Sequence, residues 1–226
     1  MNMLRNILQI YSLVKNVYAE VLPSWVTSRV SSEQPFGHPK YSPEFRLVPK
    51  YSDEQRMKNA PFLEKTIVKY KSVKNVFQDK NMVFLRNALD YYHRSLGDLR
   101  LEEKLIDLMV SLESLFSREG QELRLRISLR ASSLLSVGKE SERANIFRNI
   151  YRLYDKRSKV IHGMELVDLG IFEISLLQDY VREAIKRLIH TGMLKRTILK
   201  LLDESVYDEK KQELLNERIS EAIEKW

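Results

Sequence analysis

Cysteine is absent from this sequence, and glycine and proline are scarce, with 7 and 6 residues among 226. Without cysteine the chain can form neither a disulfide framework nor a thiolate zinc site, which favours a reducing, intracellular setting. The four histidines are too scattered to indicate a metal cluster: His38, His93, His162 and His190. We therefore expect no metal and no cofactor.

Long apolar runs are absent as well. No segment approaches the ~20 apolar residues of a membrane-spanning helix. The first 22 residues interrupt their apolar positions with charged and polar ones, so they lack the continuous apolar stretch of a signal peptide. Apolar residues recur there every three or four positions, which predicts a helix over residues 2–22 that packs against protein rather than a membrane surface. We expect a soluble, cytoplasmic protein with no membrane partner.

Hydrophobic residues make up 43% of the chain and charged residues 31%, a balance that favours long helices with exposed charged faces. Five prolines lie between residues 23 and 49 and exclude regular helix there, because each removes a donor and restricts its predecessor. We predict an N-terminal helix and proline-rich connector over 1–51, a helical bundle over 52–192, and a C-terminal helical extension over 193–226.

Helical periodicity defines the predicted elements of the bundle. Apolar positions bounded by glycine predict five helices, over 81–96, Leu101–Phe116, Leu123–Leu135, about 141–163 and Ile171–Ile189. Two further amphipathic helices are predicted after residue 193. Residues 62–77 fit either a helix or a strand, since the run TIVKYKSVK alternates well enough for both.

Positive charge is concentrated in residues 118–159, which hold eleven Lys and Arg against five Asp and Glu. This excess accounts for nearly all of the net charge of +7 and permits polyanion binding. Three arginines there are interpreted equally well as contacts for an RNA backbone and as a solvated helix face: Arg124, Arg126 and Arg130.

Two other groups have both a structural and a functional interpretation. Glu113 is a carboxylate on an otherwise apolar helix, and we favour an ion pair with an arginine over a catalytic role. Tyr91, Tyr92 and His93 carry rings that can stack on bases, but packing at the core or its boundary is the favoured interpretation.

The run YDKRSKVIHG, residues 154–163, brings chemically useful groups together near a predicted helix end. Arg157 and His162 are five positions apart, which on an ideal helix means about 7.5 Å of rise and a rotation of about 140°. They do not share a face. A joint role therefore needs the helix to end near His162, as Gly163 indicates, or a second copy of the motif from another subunit.

Five sequence blocks follow one another between residues 82 and 190: FLRNALDYYHRSL, LEEKLIDLMVSLESLF, ELRLRISLRASSLL, FRNIYRLYDKRSKVIHG and LLQDYVREAIKRLI. Their order resembles the ApeA-like branch of the HEPN superfamily. Arg157-x4-His162 matches the Arg-x4-6-His signature of that superfamily, with polar Ser158 directly after the arginine. Residues 1–80 depart from the family, being too short and irregular for the larger sensor domain often joined to such modules.

The resemblance implies an all-α fold, an antiparallel HEPN-type bundle with extra N- and C-terminal helices. It also implies homodimerisation through the motif-bearing helices and metal-independent RNA cleavage in a cleft shared by two motifs. By position, Arg157 and His162 become the catalytic pair and Ser158 a supporting catalytic residue. We expect the RNA-binding residues to be cations of the same helix: Arg148, Arg152, Lys156 and Lys159.

The residue types suit RNA cleavage through attack of the 2′-hydroxyl on the adjacent phosphate. A histidine with a pKa near ~6.5 moves protons at neutral pH, and a guanidinium stabilises charge on phosphate oxygens. We expect an endoribonuclease of toxin or antiviral-defence type, cutting single-stranded or loop RNA, with an antitoxin or a sensor protein as a further partner.

Two alternatives stay open at this point. The first is a non-catalytic HEPN dimer that binds RNA, a nucleotide or a protein partner. The second is a structural dimerisation module in which Arg157 and His162 satisfy one another across an interface.

Overall fold

The computed structural model of the chain describes residues 6, 9–10, 66, 68–97, 99–118, 122–163 and 168–225. All regular elements in these ranges are helical, which confirms the predicted all-α fold. After residue 82 the described residues form seven α-helices: α1 (Val83–Ser95), α2 (Leu101–Phe116), α3 (Leu123–Leu135), α4 (Arg143–Ile161), α5 (Ile171–Ile189), α6 (Lys195–Glu204) and α7 (Glu209–Glu224).

The segment that fitted both a helix and a strand is helical over residues 68–78. Val73 and Val76 are buried there while Val68 is exposed, so burial follows the three-residue spacing of a helix rather than strand alternation. Of the helix predicted over residues 2–22, only residues 6, 9 and 10 are described, and they are helical. The proline-rich connector lies outside the described residues.

The ends of α4 are set by local backbone geometry. A short 3-10 turn, Glu140–Glu142, precedes it, so the helix begins slightly later than predicted. After the last helical residue, Gly163 adopts a φ of +65°, and its N–H donates to the carbonyl of Val160 at 3.2 Å. A residue with a Cβ is strained in this left-handed conformation, whereas glycine adopts it without strain. The predicted end of the helix at Gly163 is therefore confirmed.

Helix α2 lies at the centre of the bundle and contacts α1, α3, α4 and α5. Its inner stripe is fully buried, and burying each such side chain stabilises the fold by about 1.5–3 kcal/mol. The stripe comprises Leu105, Leu108, Met109, Leu112, Leu115 and Phe116. Neither α2 nor any other described helix is long and apolar enough to cross a bilayer.

Helices α6 and α7 join the same core as the bundle. Ile198 and Leu202 of α6 and Leu215 and Ile219 of α7 are buried with the residues of α2 and α5 in one cluster. Helix α6 packs on α3, and α7 packs on α5. The residues predicted as a C-terminal extension are therefore helical and packed against the bundle.

Two buried arginines bond the ends of helices to which they do not belong. Arg130 of α3 donates to the carbonyl of Phe116, the last residue of α2, at 2.6 Å. Arg187 of α5 donates to the carbonyl of Leu134, near the end of α3, at 2.7 Å. The last carbonyls of a helix lack partners within it, so these side chains satisfy groups that would otherwise be buried without a hydrogen bond.

Candidate active site at the end of α4

The Arg-x4-His motif occupies the last turns of α4. Ile146, Ile150 and Leu153 form the buried stripe of this helix, and their spacing fixes its rotation against the core. Arg157 continues the stripe one turn further, so its side chain points inward and is only 21% exposed. His162 is the first residue beyond the helix and is exposed.

Arg157 is held by two side chains, one of α2 and one of its own helix. Its Nη2 lies 3.3 Å from Oε1 of Glu113, and its guanidinium lies 5.5 Å from the centre of the Tyr154 ring. The Tyr154 hydroxyl donates to the same Glu113 oxygen at 2.8 Å. Burial and this hydrogen bond raise the pKa of Tyr154 to about 12, so it remains a donor at neutral pH. The structural interpretation of Glu113 as an arginine partner is confirmed.

His162 is anchored through its backbone. Its N–H donates to the carbonyl of Ser158 at 3.1 Å, which closes the last turn of α4. Arg157 and His162 therefore leave the helix end in different directions, one towards α2 and one towards solvent. Among the described residues, no hydrogen bond or ion pair joins their side chains.

Lys156 ties α4 to the start of α5. Its Nζ donates to both carboxylate oxygens of Glu173, at 2.9 and 2.8 Å, and to the carbonyl of Asp168. An ammonium has three donors, so these contacts use all of them. Arg152 lies 3.1 Å from the same carboxylate. Two of the four cations expected to bind RNA therefore share one internal partner.

Glu173 is a site residue that the sequence analysis missed. Burial alone would raise its pKa, but the hydrogen bonds from Lys156 and the Gly170 N–H, together with the charges of Lys156 and Arg152, lower it overall. The signal was available, because an acid at the third position of a helix commonly accepts from the N–H of the residue that precedes the helix. The Gly170 N–H donates to Glu173 at 3.1 Å.

The other two cations expected to bind RNA are exposed. Lys159 pairs with Asp155 at 3.5 Å, one turn back on α4. Arg148 forms no ion pair with any carboxylate in the described part of the chain, and its side chain faces solvent. Arg152 is also exposed despite its contact with Glu173, so a polyanion approaching α4 would meet Arg148, Arg152 and Lys159 before Lys156.

The three arginines of α3 do not form one surface, and both interpretations of the series are wrong for Arg130. Arg130 is buried, and its Nε and Nη2 contact the two carboxylate oxygens of Asp203 at 2.7 Å each. It is available neither to RNA nor to solvent. Its position three residues after buried Ile127 was the missed signal, because this spacing places Arg130 on the inner face of the helix.

The remaining arginines of the series are accessible to different degrees. Arg124 pairs with Asp155 at 2.9 Å, and its guanidinium lies 4.2 Å from the centre of the Tyr151 ring. Arg126 is exposed. In the aromatic cluster of α1, Tyr92 is fully buried, so the packing interpretation is confirmed for that ring.

No group of three or more His, Asp or Glu side chains that could hold a metal ion occurs within the described ranges. No protein-family model, curated protein or solved structure matches the chain. The HEPN resemblance and the roles of the site residues therefore stay predictions.

Proposed function

We propose that the chain is a HEPN-type, homodimeric and metal-independent endoribonuclease of toxin or antiviral-defence type that cleaves single-stranded RNA. The observation that carries the proposal is the placement of His162. It is exposed at the end of α4, about 1.4 helical turns beyond Arg157, in an Arg-x4-His run. An imidazole in this position can reach a substrate in solvent, as a general acid or base must.

A second observation concerns the donors of Arg157. Its Nε is buried and has no hydrogen-bond acceptor among the residues that the structure describes. Leaving a buried donor without an acceptor costs about 1–3 kcal/mol. A phosphate oxygen at this nitrogen would remove the cost, while Glu113 continues to hold Nη2.

The reaction assigned to the pair is transesterification within RNA. The 2′-oxygen bonds to phosphorus, the bond from phosphorus to the 5′-oxygen breaks, and the products are a 2′,3′-cyclic phosphate and a 5′-hydroxyl. His162 takes the proton of the attacking hydroxyl or supplies one to the leaving oxygen, and Arg157 stabilises the charge on the phosphate. In a dimer, the two copies of the motif would supply one residue for each proton transfer.

The second candidate function is a HEPN dimer that binds RNA, a nucleotide or a protein without cleaving. The observation that favours it is the ion pair of Arg157 with Glu113, because a guanidinium already paired with a carboxylate attracts phosphate less strongly. The two candidates differ in chemistry but share the fold and the basic surface.

One experiment separates the candidates. Purified protein is incubated with total RNA in EDTA beside the Arg157→Ala/His162→Ala variant, with Arg218→Ala, an exposed arginine of α7, as the control. Light scattering gives the oligomeric state. We expect a dimer, with cleavage by wild type and control and none by the double variant. Equal cleavage by all three proteins would refute the site, and RNA binding without cleavage would favour the second candidate.

A further inference from the structure

A basic concavity of about 510 Å³ lies between the end of α2 and the start of α6. Ser117 and Arg118, which directly follow α2, line one side, and Lys195, Arg196 and Leu199 line it from α6. Three of the five lining residues are cations. None of them belongs to the Arg-x4-His site.

Among the residues that the structure describes, no carboxylate balances the positive charge of this concavity. The ion pairs of α6 involve Lys200, Asp203 and Glu204 instead, and no described carboxylate pairs with Arg118, Lys195 or Arg196. Around α4, by contrast, Glu173 and Asp155 accompany the cations. Three like charges around one concavity repel each other, and a bound anion would relieve this repulsion.

Lys195 is destabilised in its charged form by burial and by Arg130. Burial lowers the pKa of its ammonium, and the neighbouring charge of Arg130 lowers it further. Arg130 itself is matched by Asp203, but Lys195 has no such partner in the described part of the chain. An anion in the concavity would stabilise the charged form of Lys195.

The start of α6 adds unused backbone donors to the same place. The N-cap residue Leu194 makes no side-chain cap, and its carbonyl accepts from Thr197 at 3.0 Å and Ile198 at 3.1 Å. The N–H groups of Lys195 and Arg196 have no acceptor among the described residues. Amide groups at a helix start carry partial positive charge and favour anions.

We propose that this concavity is a phosphate-binding site formed by Arg118, Lys195, Arg196 and the first N–H groups of α6. Phosphate fits better than a carboxylate, because its oxygens accept from several guanidinium and amide donors at once and its phosphoryl form carries up to two charges. The phosphate belongs either to a free phosphorylated ligand or to a polynucleotide, and both present the same chemistry.

The site stands apart from the proposed ribonuclease but is close to it along α2. Ser117 follows Glu113 by one helical turn, and its N–H donates to the Glu113 carbonyl at 2.9 Å. The Glu113 side chain holds Arg157. The concavity and the Arg157 site therefore both lie near the C-terminal end of α2.

The test titrates inorganic pyrophosphate, and separately a short single-stranded RNA, into the full chain by calorimetry, with ionic strength held constant by chloride. The test variant is Arg118→Gln/Lys195→Gln/Arg196→Gln. The control is Lys71→Gln/Lys74→Gln/Lys210→Gln, which removes the same charge from exposed positions. Circular dichroism checks folding, and Arg196→Gln alone replaces the triple variant if that variant unfolds.

We expect a pyrophosphate site with a Kd at least ~10-fold higher in the test variant and unchanged in the control, because each lost bond to a charged group weakens binding about that much. If pyrophosphate displaces the RNA and the test variant binds the RNA weakly, the ligand of the site is a polynucleotide. Pyrophosphate binding without RNA binding would assign it to a free ligand.

Saturable binding by neither probe, or an equal loss in test and control variants, would overturn the site. The Arg157→Ala/His162→Ala variant is expected to keep the pyrophosphate site that the test variant loses. A failure of the ribonuclease proposal is thereby distinguished from a failure of this one.

Discussion

Glu113 on α2 and Arg157 on α4 form an ion pair of 3.3 Å in which both side chains are 21% exposed. The pair joins the central helix of the bundle to the helix that carries the motif. It fixes the guanidinium and at the same time places a negative charge where a phosphate would bind. If the chain binds RNA as proposed, Glu113 has two opposing effects on that binding, which substitution can separate.

Replacing Glu113 with glutamine removes the charge but keeps an oxygen that accepts from Tyr154. We expect RNA to bind about 3- to 10-fold more tightly, because a charge of the same sign as phosphate has been removed at short range. Stability should fall by about 1 kcal/mol. Filter binding and urea unfolding measure the two effects, with Glu217→Gln on the exposed face of α7 as the control. Weaker RNA binding would show that positioning of Arg157 outweighs repulsion.

Cleavage should require the 2′-hydroxyl on the nucleotide 5′ of the cut, since that oxygen is the proposed nucleophile. A single deoxy substitution there should abolish cutting at that position. Cuts at unmodified positions should leave 5′-hydroxyl ends. His162→Ala should slow cleavage by about 10²–10⁴ with RNA affinity nearly unchanged, the usual effect of losing a positioned general acid or base. End analysis of one labelled oligonucleotide decides: a 5′-phosphate, or undiminished cutting of the deoxy substrate, contradicts this mechanism.

RNA binding should weaken steeply with salt, because neutralised phosphates release counterions. Each contact with single-stranded RNA contributes about −0.7 to the slope of log K against log salt. The Arg148→Gln/Arg152→Gln variant should have a shallower slope, because it loses the contribution of up to two such contacts. The control is Lys71→Gln/Lys74→Gln, on helical residues 68–78. The same slope in all three proteins would show that α4 does not contact the RNA backbone.

The helices were predictable because their apolar residues follow one period and end at recognisable stops. Helix α2 begins and ends at the predicted residues, since its stripe from Leu105 to Phe116 is uninterrupted at the expected spacing. Residues 68–78 left two interpretations open, because β-branched residues alternate there with polar ones. Only packing, which buries Val73 and Val76, decides between helix and strand.

The ion pairs between helices could be predicted only in part. Glu113 was expected to pair with an arginine, but sequence could not tell that the arginine would be Arg157, 44 positions later. Arg130 was misassigned because a charged residue is usually exposed, and its partner Asp203 lies on another helix. Pairings of this kind depend on how helices cross, which spacing within one helix does not encode.

The free energy of unfolding should fall more when Asp203 of the Arg130–Asp203 pair is replaced than when Arg130 is replaced. Asp203→Ala leaves a guanidinium that is 4% exposed without its counter-ion, and we expect a loss of about 3 kcal/mol. Arg130→Met also removes the donor to the buried Phe116 carbonyl, but it should cost less, because Asp203 is 51% exposed and water can solvate its charge. Urea unfolding compares both variants with Glu213→Ala, an exposed acid of α7; a smaller loss for Asp203→Ala than for Arg130→Met would contradict the prediction.

Stability should fall as pH is lowered from neutrality, in part through His190. Burial, with the charges of Lys69 and Lys225, lowers its pKa to about 4, whereas the unfolded chain has a value near ~6.5. Between these values the unfolded chain binds more protons, so this contribution is present above ~6.5 and is lost as pH falls towards 4. Urea unfolding at about pH 7.5 and about pH 5 should show a smaller loss for His190→Gln than for wild type.

The two arginines that bond the ends of neighbouring helices make the local opening of one helix depend on another. The last carbonyl of α2 is satisfied by Arg130 of α3, and the end of α3 by Arg187 of α5. Fraying the final turn of α2 therefore breaks a contact with α3, and fraying α3 breaks a contact with α5. Helix ends ordinarily exchange their amide hydrogens by independent local opening, and we expect these bonds to make the ends of α2 and α3 open together with α5 as one cooperative unit.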